Sequence, residues 1–348
     1  MPMSLNDKKT ILITGGAGFI GANFILYFLG RYDNYRIVNL DLLTYASDIN
    51  NLRPVEKDPN YIFVKGDICD RALVQDLFEK YDIRGVIHFA AESHVDNSIE
   101  NPGVFVKTNV LGTHVLLDSA YNYWMQCPGR YKAGYEGCRF HHISTDEVYG
   151  TLGDTGLFTE EMPYAPNSPY SASKAGSDML ARSYYHTYNM DVVITNCSNN
   201  YGPFQHTEKF IPTVIRTAIQ MKPIPIYGKG LNTRDWLFVY DHCRAIDVVF
   251  HEANSGETFN IGGESERKNI EVAQEICSIL DTIMDKPKGT YSRNITFVKD
   301  RPGHDWRYAM DISKIRSVLQ WAPQVKFEEG LYETVKWFVE KFKKEGLI

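Results

Sequence analysis

The sequence predicts an α/β fold with a mostly parallel sheet, because short apolar runs alternate with amphipathic stretches along its first half. Short apolar runs are typical of buried strands, and longer stretches with helical periodicity are typical of the connecting helices. The predicted strands are residues 10–14, 36–41, 61–65, 85–91, 139–144 and 191–196. The predicted helices are residues 19–29, 73–80, 104–123 and 170–188.

The second half of the chain differs, with four prolines between residues 203 and 225 and a more broken apolar pattern. We expect a smaller C-terminal α/β lobe here, with helices at residues 269–285 and 327–344. The lysines that end the last helix suit a helix C-terminus. Residues 127–137, rich in glycine, predict a surface excursion from the first lobe.

Length, charge and cysteine content narrow the possible functions. The 348 residues are 43% hydrophobic, and a net charge of -6 without a basic run argues against nucleic acid as a partner. No apolar stretch approaches the roughly 20 residues of a membrane span, and the polar N-terminus lacks the pattern of a signal peptide. The six scattered cysteines contain no C-x-x-C pair. We therefore expect no membrane partner, no metal ion, no disulfide framework and a cytoplasmic location.

Three glycines follow the first predicted strand at G-x-x-G-x-x-G spacing, namely Gly15, Gly18 and Gly21. Residues without Cβ let backbone N–H groups approach a pyrophosphate at a helix N-terminus. The next strand ends at Asp41, whose carboxylate can accept hydrogen bonds from both hydroxyls of an adenosine ribose and would repel a 2′-phosphate. Together these features predict a Rossmann-type, doubly wound parallel sheet that binds NAD rather than NADP.

Two later strand ends offer further cofactor contacts. Asp67 and Ile68 follow residues 61–65 and are candidates to border the adenine, while residues 89–91 place small side chains beside the dinucleotide. For either group, a structural role is equally compatible with the sequence.

Tyr170 and Lys174 form a Y-x-x-x-K pair, which a helix places on one face. Free tyrosine has a pKa of ~10, so it acts as a base at neutral pH only where positive charge stabilises the tyrosinate. A nearby ammonium and the nicotinamide ring both supply such charge. The pair can therefore take the proton of a sugar hydroxyl while hydride leaves to NAD.

Asp146 and Glu147 follow Ser144 and Thr145 at the end of a predicted strand, where open α/β sheets bind their ligands. Adjacent side chains of a strand point to opposite faces, so the chain must leave strand geometry for both carboxylates to reach one substrate. One carboxylate can act as a base and the other as an acid, if burial and its neighbour raise its pKa. The pair indicates chemistry beyond oxidation.

Longer strings carry a family resemblance that runs nearly end to end. They are HHISTDEVYG (141–150), SPYSASKAGSD (168–178), CSNNYGP (197–203), NTRDWLFVYDH (232–242), FNIGG (259–263) and DRPGHD (300–305). The chain resembles the extended short-chain dehydrogenase/reductase family and, within it, the sugar-nucleotide 4,6-dehydratases. The Asp146-Glu147 pair is the most specific element, since related epimerases and decarboxylases usually lack it.

The resemblance implies an enzyme that uses NAD to convert dTDP-glucose to its 4-keto-6-deoxy form. Tyr170, with Lys174 and Thr145, would take the C4 hydroxyl proton as hydride passes to NAD. Glu147 would then remove the C5 proton, Asp146 would protonate the departing C6 hydroxyl, and the hydride would return to C6.

The resemblance also implies a cofactor site, a substrate site and a division between lobes. We expect the cofactor site to comprise Gly15, Gly18, Phe19, Ile20, Gly21, Asp41, Leu43, Thr44, Asp67, Ile68, Phe89, Ala90, Ala91, Ser93, Thr108, Tyr170, Lys174 and Asn200. The expected substrate site comprises Ser93, Thr145, Asn199, Lys209, Phe210, Pro225, Tyr227, Arg234, Asn269, Arg301 and His304. Residues 8–200, with later returns near 236–262, would bind NAD, and residues 201–348 would mainly bind the sugar nucleotide.

Three departures and several alternatives accompany the resemblance. Asn97 and Trp306 stand where the family has arginine, and His206-Thr207 replaces a more apolar pair. The helices at 104–123 and 170–188 resemble those that form a four-helix dimer interface, although burial within one chain explains them as simply. The alternatives are a UDP-glucose 4,6-dehydratase, a sugar-nucleotide 4-epimerase or decarboxylase, and a silent NAD-binding regulator.

Overall fold

The computed structural model of the chain describes residues 8–300 and 303–348, in which strands and helices alternate through the first half as predicted. The strands are β1 (Lys9–Thr14), β2 (Tyr35–Asp41), β3 (Tyr61–Lys65), β4 (Ile83–His88), β5 (Met125–Cys127), β6 (Arg130–Tyr131), β7 (Arg139–Thr145), β8 (Val192–Cys197), β9 (Asn199–Tyr201), β10 (Ile224–Tyr227), β11 (Thr233–Phe238), β12 (Thr258–Ile261), β13 (Glu266–Lys268) and β14 (Ile295–Val298). The helices are α1 (Phe19–Arg31), α2 (Arg71–Tyr81), α3 (Val95–Glu100), α4 (Pro102–Phe105), α5 (Thr113–Trp124), α6 (Pro169–Tyr188), α7 (Phe210–Ile219), α8 (Val239–Glu252), α9 (Asn269–Ile283), α10 (Ser313–Leu319) and α11 (Phe327–Lys344). Short 3₁₀ turns span Ile49–Val55, Asp146–Tyr149 and Ser292–Asn294.

Seven parallel strands form the central sheet in the order β3-β2-β1-β4-β7-β8-β12, which confirms the predicted Rossmann-type fold. The strand order reverses between β1 and β4, whose registers run side by side from Thr10 to Thr14. Such a reversal opens a crevice at the carboxyl ends of the strands, because the connections leave in opposite directions. The geometry therefore places a ligand site beside Thr14 and His88.

The C-terminal lobe has smaller sheets and a core of its own. Strands β13, β11 and β9 form one sheet, and β10 pairs with β14 in another. Apolar faces of α7, α9 and α11 pack together around Ile215, Ile276 and Phe338, which are fully buried. Strand β12 returns to the central sheet by pairing with β8, and α8 packs against α1.

The single helix predicted at residues 104–123 is wrong in its details, because the segment contains α4, a π-helix over Val106–Gly112 and α5. The π-helix directs the buried Asn109 amide to the backbone N–H of Glu92 (2.8 Å), the carbonyl of Glu92 (3.0 Å) and the hydroxyl of Ser173 (2.8 Å). Apolar periodicity cannot distinguish a π-turn from an α-turn, and such bulges often lie at functional sites.

The excursion at 127–137 contains β6 and the end of β5, which form a small hairpin.

Every helix in the described ranges is too short or too polar to cross a membrane.

Two glycines of α1 provide a matched test of the packing below the crevice. A Cβ at Gly21 would lie 2.4 Å from the carbonyl oxygen of Gly15, whereas a Cβ at Gly30 would meet no described atom within 4 Å. We expect Gly21→Ala to destabilise the fold by about 1–3 kcal/mol through overpacking. Gly30→Ala should stabilise it by about 0.5–1 kcal/mol, because alanine loses less backbone entropy in a helix. Urea unfolding measures both changes, and equal stabilities for the two variants would contradict this packing.

Candidate active site

One cleft of about 310 Å³ at the carboxyl edge of the central sheet brings together most of the predicted cofactor residues. The predicted cofactor residues that line it are Gly15, Gly18, Phe19, Ile20, Gly21, Asp41, Thr44, Asp67, Ile68, Phe89, Ala90, Ala91, Ser93, Thr108, Tyr170, Lys174 and Asn200. All of the predicted catalytic residues line the same cleft. The cofactor and catalytic groups therefore share one space, as a hydride transfer requires.

The glycine turn between β1 and α1 has the form of a phosphate-binding cradle. Gly15 has φ of +71°, and a Cβ there would lie 2.6 Å from the backbone nitrogen of Ala90. Gly18 is the N-cap of α1, and within the described structure no side chain caps this end and no acidic residue occupies its first turn. Uncapped N–H groups at a helix N-terminus form a site for an anion. The turn thus fits the pyrophosphate of a dinucleotide.

Asp41 supports that turn as well as facing the cleft. Its Oδ2 accepts a hydrogen bond from the backbone N–H of Ala17 (2.9 Å), and its Oδ1 accepts from the N–H of Leu43 (2.8 Å) and the hydroxyl of Ser47 (2.9 Å). Leu43 does not line the cleft, although it was predicted to bind the cofactor. Its φ of +57° turns its N–H toward Asp41. In this structure Leu43 supports the acid through its backbone.

Asp146 and Glu147 lie where the chain leaves strand geometry, as the sequence predicts. Strand β7 ends at Thr145, and a 3₁₀ turn begins at Asp146. The Thr145 hydroxyl donates to Asp146 Oδ1 (3.2 Å) and accepts from the N–H of Glu147 (3.3 Å). Asp146 is 1% exposed, and its Oδ2 has no hydrogen-bond partner among the described residues. The turn therefore leaves one carboxyl oxygen available in a buried site.

The surroundings of Asp146 favour its protonated form. Burial raises the pKa of Asp146 well above its usual range, and the neighbouring charges of Glu147 and Asp235 raise this pKa further. A carboxyl group that is protonated at neutral pH can act as an acid. Asp146 is thus suited to give a proton to a leaving group.

Tyr170 and Lys174 are held on the buried face of α6. This helix begins with a capping box of Ser168 and Ser171, and Pro169 occupies its first turn. Lys174 donates from Nζ to the carbonyl oxygen of Ile143 (2.8 Å). The helix start therefore fixes the tyrosine and lysine against the end of β7.

The protein alone holds Tyr170 neutral. Burial raises the pKa of Tyr170 well above its usual value, Glu147 raises this pKa further, and a hydrogen bond with Thr145 lowers it. Burial lowers the pKa of Lys174. A bound nicotinamide ring would add the positive charge that a tyrosinate needs in this site.

The predicted substrate residues are divided between the cleft and its surroundings. Ser93, Thr145, Asn199 and Lys209 line the cleft, whereas Phe210, Pro225, Tyr227, Arg234, Asn269 and His304 do not, and Arg301 lies outside the described residues. Arg234 is buried and donates to the backbone carbonyls of Thr233 (2.8 Å) and Asp305 (2.9 Å). Its guanidinium stacks on the Tyr308 ring at 4.1 Å. In the described structure, its guanidinium contacts the protein's own carbonyls.

Sequence reasoning missed a set of contacts that joins Asn97 and Tyr45 to His206, which lines the cleft. The Asn97 amide donates to the Tyr45 hydroxyl (3.1 Å), and the Tyr45 ring meets the His206 ring edge to face at 5.6 Å. Nearby, Lys209 Nζ donates to the carbonyl oxygen of Ser93 (2.8 Å). The departures at Asn97 and His206 were a signal, but nothing in the sequence shows that these residues meet through Tyr45.

Asn39 was also missed. Its Oδ1 accepts from the backbone N–H of Gly16 (3.1 Å), and its amide donates to the Tyr61 hydroxyl (2.9 Å). A polar residue inside the apolar run of β2 was the signal.

Within the described residues, histidine, cysteine and acidic side chains form no group of three that could hold a metal ion.

Comparisons with known proteins agree with this geometry. The chain matches the GDP-mannose 4,6 dehydratase family model over residues 12–334. The dTDP-glucose 4,6-dehydratase of Xanthomonas campestris pv. campestris (strain B100) is 54% identical over 331 residues, which cover 95% of this chain and 93% of the relative.

Solved structures give the same result. The dTDP-glucose 4,6-dehydratase of Bacillus anthracis in complex with NAD is 44% identical with a TM-score of 0.84, covering 98% of this chain and 100% of that chain. The corresponding enzyme of Streptomyces venezuelae, with NAD and dTDP bound, is 42% identical with a TM-score of 0.86, covering 97% and 100%. The sequence resemblance is confirmed, and this chain belongs to the dTDP-glucose 4,6-dehydratase family of extended short-chain dehydrogenase/reductases.

Proposed function

We propose that this protein is an NAD-dependent dTDP-glucose 4,6-dehydratase. The observation that carries the proposal is the buried Asp146, whose pKa is raised, beside Glu147 in the same cleft as the glycine turn and the Tyr170-Lys174 pair. The family membership supports the same substrate. NAD, when bound, accepts the hydride from C4 of the hexose and returns it to C6.

The side chains of the cleft divide the proton transfers among them. Tyr170, hydrogen-bonded by Thr145 and close to Lys174, takes the proton of the C4 hydroxyl. The C4 ketone makes the C5 proton acidic, and Glu147 removes that proton. Asp146, held protonated by burial, donates its proton to the C6 hydroxyl, which leaves as water. Glu147 gives its proton back to C5 when the hydride returns to C6, so the product is a 4-keto-6-deoxy hexose on the same nucleotide.

The acid pair also separates this proposal from its alternatives. An epimerase or a decarboxylase would share the glycine turn and the Tyr170-Lys174 pair, but it has no need for a protonated acid beside Glu147. A silent NAD-binding regulator has no need for Tyr170 or Lys174, and both line the cleft.

Product analysis of the purified protein with NAD tests the proposal. We expect a 4-keto-6-deoxy product from dTDP-glucose, and slower turnover of UDP-glucose if the protein discriminates the two pyrimidines. A C4 epimer, or no product from dTDP-glucose, would contradict the assigned reaction. Faster turnover of UDP-glucose would shift the assigned substrate to the uridine nucleotide.

Substitution of the acid pair separates oxidation from elimination. We expect Asp146→Asn and Glu147→Gln to lower kcat by about 10²–10⁴-fold, the usual contribution of a general acid or base. NADH should accumulate in both variants, because their roles follow the C4 oxidation. Glu161→Gln removes an exposed carboxylate that does not line the cleft, so it should leave kcat unchanged.

The raised pKa of Asp146 also predicts a pH dependence. The acid is present below its raised pKa and is lost as the pH rises through that value. The wild-type elimination rate should therefore fall on the alkaline side, and Asp146→Asn should lack this fall. Elimination at the original rate in both acid-pair variants would refute the assigned roles.

We infer further that the two lobes divide the ligands between them. Residues 8–200, together with the returning β12, contribute the NAD side of the cleft, and residues 201–348 mainly contribute the nucleotide diphosphate side. Lys209 supports this division, because it belongs to the second range and lines the cleft.

We also propose a homodimer that forms through α6 and the π-helical segment in the cytoplasm. A Cβ on Gly176 would lie 3.4 Å from Val110 Cγ2, so these two elements pack closely. Their outer surface exposes Val106 (56%), Leu111 (47%) and Met179 (50%). A shared apolar surface of this kind favours association with a second copy.

The six cysteines are free, which suits the reducing environment of the proposed cytoplasmic location.

Sedimentation velocity tests the dimer. We expect Met179→Arg to produce monomers, because a buried charge without a partner is costly at an interface. Val318→Arg changes an equally exposed apolar residue on α10 and should leave the dimer intact. A monomeric wild type, or a dimer that withstands Met179→Arg, would contradict the interface.

A further inference from the structure

Below the catalytic pair, α6 carries a third chemical group on the same buried face. Tyr170, Lys174 and Asp178 follow one another at four-residue spacing and are 8%, 4% and 1% exposed. Four-residue spacing stacks side chains along one side of a helix. Asp178 does not line the cleft, so it cannot touch the substrate directly.

Asp178 is the centre of a buried hydrogen-bond network. Its Oδ1 lies 3.0 Å from His142 Nε2, and its Oδ2 accepts from the Ser144 hydroxyl (2.8 Å) and the Asn196 amide (3.3 Å). The same Asn196 amide donates to the carbonyl oxygen of Thr145 (3.1 Å). An ionised carboxylate only accepts hydrogen bonds. The polar groups of β7 and β8 that surround Asp178 suit that form.

The charge of Asp178 acts on Lys174. Among the groups around Lys174, Asp178 raises the pKa of the ammonium most, against the lowering caused by burial. Burial lowers the pKa values of His88 and His142, and it raises the pKa of the Cys197 thiol and of Tyr170, so each of these groups shifts toward its neutral form.

A buried ammonium is costly unless a nearby anion compensates for its lost hydration. Lys174 and Asp178 form no direct ion pair in the described structure, since the ammonium donates to Ile143 instead. The compensation is therefore electrostatic, across one turn of α6. It leaves the ammonium oriented toward the cleft.

We propose that Asp178 is a positioning residue that supports the Lys174 ammonium from one turn away on α6 and, through Ser144 and Asn196, holds the end of β7 where Thr145 and Asp146 lie. The proposal rests on the function proposed above, because it assigns Lys174 the role of supporting Tyr170. Asp178 acts through these neighbours and makes no contact with substrate.

The test isolates the first oxidation from the later acid step. In the Asp146→Asn background, elimination is slowed and NADH formation from dTDP-glucose reports Tyr170 and Lys174. Adding Asp178→Asn retains the size and one acceptor oxygen but removes the charge. We expect the alkaline limb of the pH profile for NADH formation to move down by about one unit, the scale of losing one nearby charge.

Two further variants separate charge from structure. Ser177→Ala removes a buried hydroxyl that contacts His142 (3.2 Å) and the Lys174 carbonyl oxygen (2.7 Å) without changing any charge. Asp178→Glu retains the charge on a longer side chain. In the Asp146→Asn background, both variants should keep the alkaline limb seen with native Asp178, even if their rates of NADH formation fall. A limb that stays in place in Asp178→Asn, or moves equally in Asp178→Glu, would overturn the proposal.

A binding measurement keeps this test independent of the reaction. Lys174 lines the cofactor cleft, so loss of its charge should weaken NAD binding. Titration of NAD by protein fluorescence, without substrate and with native Asp146, should show this weakening at lower pH in Asp178→Asn than in wild type or Ser177→Ala. An unchanged pH dependence would count against Asp178 even if the protein had no dehydratase activity. A failed product assay alone would count only against the proposed function.

Discussion

The cleft depends on a close backbone contact at the point where the strand order reverses. Gly15 lies against the backbone of Ala90, in a position that a Cβ would bring within 2.6 Å of the Ala90 nitrogen. The Thr14 hydroxyl contacts His88 Nδ1 (2.7 Å), and the N–H of Phe89 donates to the carbonyl of Thr14 (3.1 Å). The strand order reverses between β1 and β4, so their connections leave in opposite directions and open the crevice beside this contact.

Burial at this edge controls the chemistry of the ionisable groups. The same loss of hydration raises the pKa of Asp146, raises that of Tyr170 and lowers that of Lys174, so each group shifts toward its neutral form. A neutral Asp146 suits an acid, whereas Tyr170 needs a compensating positive charge before it can act as a base. In the proposed reaction, oxidation needs a positive charge beside Tyr170, whereas elimination needs a neutral acid in the same buried site. Glu147 lies beside Asp146 and favours its neutral form, and Asp178 lies one turn from Lys174 and favours its charged form.

The sequence was most informative where a residue's role depends on its immediate neighbours in the chain. The spacing of Gly15, Gly18 and Gly21 and the position of Asp41 after a strand were sufficient to predict the phosphate turn, since a strand-turn-helix unit is local. The departure of Asp146 and Glu147 from strand geometry was predicted because adjacent side chains of a strand point to opposite faces and could not both reach one substrate. The π-helix at 106–112 was not, because Asn109 is held by Glu92 and Ser173, which are distant in sequence.

Residue type and spacing along the chain determined the parallel sheet and the strand-turn-helix unit with its glycines, and they were sufficient to choose the residues to which the proposed reaction assigns roles. Only the tertiary structure decided which of the predicted substrate residues meet the cleft, that Arg234 is held by backbone carbonyls, and that Tyr45 joins Asn97 to His206. It also decided the burial that raises the pKa of Asp146 and the position of Asp178 one turn from Lys174. The physical reason is that burial and long-range packing, which set desolvation and pairwise charge interactions, depend on residues that the chain brings together from distant positions.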